Sequence, residues 1–125
     1  MTLSLSRHAG LISGVDVVVG EAPPRDPPFT LERRDAGRLG PRADGPAIET
    51  GDAQFDHAFA TRDRRGLNAA LLDDGTRARL AALCTGWLGV WPQRGVHYRA
   101  RGVEGGDDAL PLLIELLREL ASRAA

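Results

Sequence analysis

The chain has 125 residues, 42% hydrophobic and 26% charged, a balance that supports one folded domain around one core and is too short for two. Its formal net charge of −1 offers no overall electrostatic pull on nucleic acid or on an anionic membrane surface, so neither is an expected partner. A single cysteine, Cys84, excludes an intramolecular disulfide and a Cys-cluster zinc site and fits a reducing, cytoplasmic setting, and no stretch approaches the roughly 18 apolar residues of a membrane span.

The first third reads as strands between turns. Thr2 to His8 alternates weakly, Val15 to Val19 is a β-branched run bounded by Gly14 and Gly20, and Phe29 to Arg33 follows the turn Pro23-Pro24-Arg25-Asp26-Pro27-Pro28. Residues 35–46 carry Gly37, Gly40, Pro41, Gly45 and Pro46 among charges, a composition that sustains neither the helical nor the strand period and predicts an exposed connection. Thr50-Gly51-Asp52 then precedes Phe55 and Phe59, which suits a helical turn capped by Asp52 running into a fourth strand. Asp63 is placed to cap a helix carrying Leu67 and Leu71. Asp74 is placed to cap another in which Leu80, Leu83 and Cys84 share a face, with Gly86 at its end.

Trp87-Leu88-Gly89-Val90-Trp91, the turn Pro92-Gln93-Arg94-Gly95 and Val96 to Arg101 make a hairpin signal. In its second strand Val96, Tyr98 and Ala100 face the core, with His97, Arg99 and Arg101 on a wet face. After Val103-Glu104-Gly105-Gly106, Asp107 or Asp108 starts the last helix. Leu110, Leu113, Ile114, Leu117 and Leu120 form its buried stripe, widened by Leu112 and Leu116. The expected fold is therefore α+β and a single domain over residues 1–125. It is a mostly antiparallel sheet of about five or six strands, with two short helices and a C-terminal amphipathic helix on one face.

The segment Thr50-Gly51-Asp52-Ala53-Gln54-Phe55-Asp56-His57-Ala58-Phe59 resembles an uncharacterised bacterial domain family with a Thr-Gly-Asp-x-x-Phe-Asp-x-x-Phe segment. In that family a Leu-Leu-Asp-x-x-x-Arg-x-x-Leu helix follows, here Leu71 to Leu80, then a hairpin and a leucine-rich last helix. The segment is also similar to the membrane-flanking region of a group of ubiquitin ligases. The resemblance spans about the last three-fifths of the chain, with a weaker echo over Gly10 to Val19. It implies a small module attached to membrane or signalling proteins, with no established activity and no catalytic residues to carry over. An all-arginine basic set, with abundant alanine and glycine, fits a GC-rich bacterial genome.

Candidate chemistry is sparse. Asp52 and Asp56 have the spacing of an acid/base or metal pair, but Thr-Gly-Asp before a helical turn is also what a cap looks like. His8, His57 and His97 stand far apart without metal-site spacing. Cys84 on an apolar helix face reads as a small buried hydrophobe rather than a nucleophile. Hydrolase-elbow, P-loop and dinucleotide motifs are missing. Arg94, Arg99 and Arg101, with His97, form either a local anion site or a solvated strand face neutralised by Glu104 or helix acids. Trp87 and Trp91 share one face, as core or, if exposed, as contact anchors. The reading is a non-catalytic protein-interaction or regulatory module, with itself among its candidate partners, that needs no cofactor and inserts into no membrane. The alternative is a small ligand-binding or enzymatic domain using Asp52/Asp56 or Cys84.

Overall fold

A computed structural model describes residues 1–8, 11–102 and 108–124, with residues 8 and 11–13 as backbone. The strands are β1 (Thr2–His8), β2 (Leu11–Gly20), β3 (Phe29–Arg33), β4 (Phe59–Asp63), β5 (Trp87–Trp91) and β6 (Gly95–Ala100). They form one sheet in the order β1-β2-β6-β5-β3-β4, antiparallel at every junction. Helices α1 (Ala53–Ala58), α2 (Asn68–Leu71), α3 (Asp74–Leu83) and α4 (Leu110–Arg123) complete an α+β fold.

Register sorts the side chains by face. Val17, Tyr98, Leu88 and Leu31 are successive partners across β2, β6, β5 and β3, a row that the alternation of strand residues aims at one side. Each is at most 1% exposed. On that side α4 packs over β2 and β6, α2 and α3 pack against α4, and α1 packs against α3 and β4.

The stripe of α4 departs from the expected one in its centre. Leu113, Leu116, Leu117 and Leu120 are buried, Ile114 is half-buried, and Leu112 is 54% exposed. Because α4 meets α2 and α3 on one flank as well as the sheet beneath, Leu116 on that flank is covered, while Ile114 turns toward the β1 side. Ala109 is the N-cap and makes no side-chain cap bond; Asp108 lies in the preceding turn, and Asp107, like Glu104, falls outside the described residues. Pro111 sits in the first turn, where a missing N–H costs nothing.

Three helix-end assignments are corrected. Asp73, not Asp74, caps α3: it holds an extended backbone and accepts from the Thr76 N–H at 2.8 Å, whereas Asp74 is already helical. That bond and the neighbouring Arg123 hold the Asp73 carboxyl below its ordinary pKa. Asp63 supports α2 from outside, accepting from the Asn68 N–H at 2.7 Å, while Leu67 occupies the cap position. Helix α3 ends at Leu83, with Cys84 as C-cap in extended conformation, so Gly86 is not its terminator. A Cβ on Gly86 would lie 2.8 Å from Ala100 Cα; this glycine exists for close strand approach.

The opposite face of the sheet is covered too, by loops. β5 is buried at all positions, and Pro27 and Pro28 are buried above it. Residues 35–46 are mostly exposed on their outer side but are tied down from within. Trp87 Nε1 donates to Pro41 O at 2.9 Å, the Ala43 N–H to Thr30 Oγ1 at 3.1 Å, and Ala43 is 3% exposed. A Cβ on Gly40 would fall 2.5 Å from the Trp87 ring, so the loop lies flat on the indole.

Two stability outcomes follow from these layers. Leu117→Ala opens a cavity beneath α4 and is expected to cost about 2–5 kcal/mol, read as a lowered urea midpoint. Glu119→Ala, which removes only a surface pair with Arg79, is expected to cost no more than about 1 kcal/mol. A Leu117→Ala midpoint equal to that of the parent refutes α4 as a core element.

Candidate functional site

The two carboxylates singled out by spacing are both spent on backbone. Asp52 is the N-cap of α1, accepting from the Phe55 N–H at 3.1 Å, and its other oxygen meets Arg77 Nε at 3.4 Å. Asp56 accepts from the Thr50 N–H at 2.9 Å and from the Thr50 hydroxyl at 2.8 Å, closing the Thr-Gly-Asp turn that Gly51, at φ 94°, makes possible. The segment is a self-bonded corner. Phe55 and Phe59 stack within it at 4.6 Å, and the Arg33 guanidinium lies 5.0 Å above the Phe59 ring.

Cys84 is 1% exposed, and burial pushes its pKa up to about 11. Its neighbour Tyr98 is pushed to about 12, first by burial and then by the adjacent Cys84. The Tyr98 hydroxyl accepts from the Thr85 N–H at 3.0 Å. A thiol that stays protonated in an apolar core lacks the electropositive, accessible setting of a nucleophile. His57 is exposed on α1 and His97 lies on the far face of β6, so the described histidines do not converge. Among the described residues no cluster of three or more His, Cys, Asp or Glu is placed to hold a metal ion.

The hairpin arginines do not form one site. Arg94, in the turn, pairs with Glu21 at 3.5 Å. Arg99 and His97 share Asp16 of β2, Arg99 Nε on one oxygen at 3.1 Å and His97 Nε2 on the other at 2.8 Å. Arg99 also donates to Leu39 O, tying the covering loop to β6. Arg101 is apart from them, its guanidinium 3.5 Å from where a side chain on Gly37 would begin. Asp16, the lone charge within the valine run of β2, is the acid facing Arg99 and His97 among the described residues; Glu104 lies outside the described residues. Trp87 and Trp91 are 1% and 4% exposed, and Trp91 Nε1 donates to Arg25 O at 3.1 Å. Both tryptophans clamp loops, and with His97 and Arg99 they line a cleft of about 440 Å³.

What the sheet leaves open is its β1 edge. Thr2 to Ser6 carries no charge and no proline, and among the described residues no strand pairs with its outer side. Leu3 is 38% exposed and Met1 58%. Beside them Met1, Leu110, Pro111, Ile114, Glu115 and Arg118 line a cleft of about 480 Å³. The other edge, β4, is shielded: the Ile48 N–H bonds Thr61 O at 2.7 Å.

Comparison with protein-family models, with curated proteins and with solved structures returns no match. No described helix is long and apolar enough to cross a membrane.

Sequence reasoning passed over two residues that organise the loop-covered face, Asp16 and Glu32. Each is the one acid inside its strand, and that is the signal that marks them. Glu32 is 3% exposed on β3, bonded by Arg42 and Arg62.

The single tyrosine and single cysteine make burial directly measurable. Both pKa values are raised, so their stabilisation is complete below the ordinary values near 9 and 10 and is lost as pH rises through about 11 to 12. In an alkaline titration, tyrosinate absorbance is expected to rise together with loss of circular dichroism rather than from pH 10. A gradual rise from a folded protein contradicts the placement of Tyr98.

Proposed function

We propose that the chain is a non-catalytic protein-interaction module that binds through the open β1 edge, with a second copy of itself as the occupant. The observation that carries this reading is that edge: a seven-residue strand without charge over Thr2 to Ser6, flanked by exposed Met1 and Leu3. Soluble proteins ordinarily blunt such edges with charge, proline or cover, because unpaired N–H and C=O groups template further strands. Two copies of β1 paired antiparallel about Ser4 set Leu3 of each opposite Leu5 of the other, with no like charges facing across that stretch. Glu115 and Arg118, beside the cleft, give the flanking helices opposite charges to exchange across the two-fold.

The resemblance to an uncharacterised bacterial family supports an interaction role over an enzymatic one. Against the alternative use of Asp52/Asp56 or Cys84 stand the backbone bonds of the two carboxylates and the burial of the thiol. Arg94 and Arg99 are paired with carboxylates, which weighs against nucleic acid as a partner. The reducing cytoplasm is the setting this reading adopts, on the lone unpaired cysteine.

Sedimentation velocity over a concentration series tests the proposal. The parent is expected to shift from monomer toward dimer. Leu3→Lys is expected to remain monomeric with a thermal stability changed by less than about 1 kcal/mol. Leu112→Glu, on the other flank of α4, is expected to leave the dimer intact. A parent that stays monomeric throughout, or a Leu3→Lys protein that dimerises equally well, overturns it.

A further inference from the structure

The cleft shared by Trp87, Trp91, His97 and Arg99 lies on the loop-covered face of the sheet. Pro23 and Pro24 of one covering loop and Pro41 of the other line it together with the two indoles. Its volume of about 440 Å³ falls within the roughly 300–1,000 Å³ of small-molecule sites. We infer that this cleft binds a flat, uncharged aromatic molecule that carries an N–H or O–H donor, the class to which indoles and phenols belong.

Strand register sets the floor. Thr2, Val18 and His97 are successive partners across β1, β2 and β6, a row on the face opposite Val17 and Tyr98. The next row holds Asp16, Arg99 and Trp87. The charges at the cleft stand beside opposite ones: Arg99 bonds Asp16 at 3.1 Å, and Arg25 and Asp26 are neighbours on the exposed rim. They cancel, so the cleft has little with which to draw an ion out of water. Both indole N–H groups are spent on Pro41 O and Arg25 O, which leaves Trp87 and Trp91 to offer ring carbon. Proline rings and indoles are surfaces on which a flat aromatic ring packs.

His97 supplies the polar contact. Its Nε2 meets Asp16 Oδ1 at 2.8 Å, and because a carboxylate only accepts, Nε2 carries the proton and Nδ1 of the neutral ring keeps its lone pair. Nδ1 has no hydrogen-bond partner among the described residues. Nor is it shut away from solvent: the buried, unpartnered side-chain atoms among those residues are Glu32 Oε2 and Thr61 Oγ1. The imidazole is 16% exposed and lines the cleft, with its Nε2 edge taken by Asp16 in the neighbouring row. The lone pair that remains accepts from a ligand that brings a donor. An aromatic carboxylate brings acceptors alone, and at Arg99 it meets a guanidinium that Asp16 already neutralises.

The chain has two tryptophans and both line the cleft, so the two indole N–H signals in a proton–nitrogen correlation spectrum report its occupancy directly. The whole chain is titrated at about pH 8.5, with imidazoles neutral, against indole, N-methylindole, which lacks the donor, and benzoate. Both signals are expected to shift saturably with indole, and indole is expected to bind about fivefold or more tightly than N-methylindole, the worth of one hydrogen bond. His97→Phe keeps a flat ring without the lone pair and is expected to bind the two indoles equally. Ala22→Leu, on the half-buried rim, is expected to weaken binding of both, whether or not His97→Phe folds. No shift with indole, equal binding of the two indoles by the parent, or tighter binding of benzoate overturns the assignment. Leu3 pairs with Val17 and so stands on the helix face, which makes Leu3→Lys a protein expected to bind indole as the parent does. Loss of the dimer and loss of this site are therefore separate results.

Discussion

A strand with large apolar side chains on both faces has to be covered twice, and β5 imposes that condition here. Leu88 and Val90 point to the helices; Trp87 and Trp91 point the other way, on either side of Gly89. The helix layer answers the first pair with leucines of α4. The second pair is answered by chain that has no regular structure, held flat by proline, by Gly40 against the indole and by the two indole N–H groups bonding Pro41 O and Arg25 O. Prolines and glycines that look like filler in the sequence are thus a second packing layer. The prolines bring no backbone N–H and the glycines no side chain, which lets both lie flat against aromatic rings.

Periodicity made the sheet and the helix layer legible. Val15 to Val19, the Trp87–Arg101 hairpin and the leucine stripe of α4 each show a clear period, and the helical turn running into a strand at Asp52 to Phe59 is spelled by its cap and its two phenylalanines. The loop layer was not legible, because nothing local to residues 35–46 says that Trp87 lies beneath them. For the same reason the hairpin's far face, read as wet, is only partly so: His97 is half-buried between Asp16 and the edge of Trp87. Adjacent acids defeat cap placement. Asp73 and Asp74 are chemically alike, and only the backbone's turn into the helix decides which one caps. On the candidate site, Trp87 and Trp91, left by the sequence as core or contact anchors, are buried beneath loops, while Asp16 and Glu32 escaped notice because an acid within a strand looks like a solvent-facing position until its pairing is known.

The polar groups of this chain work mainly as tethers. Asp16 holds β6 to β2, Asp52 and Asp56 close the corner before β4, Asp63 steadies α2, and Asp73 joins α3 to Arg123 of α4. With these engaged, bonding capacity is left over among the described residues along the outer backbone of β1 and at the buried Glu32 Oε2 and Thr61 Oγ1.

The pairing of β2 with β6 joins Val15 to Ala100, so β1 and β2 find their neighbour only after the chain between them and β6 has been made. A chain emerging from the ribosome therefore carries β1 and β2 without their partner while the middle of the sheet is still being synthesised. Such non-local pairing is slow to form. Until it does, the valine-rich inner edge of β2 is exposed to strands of other nascent chains.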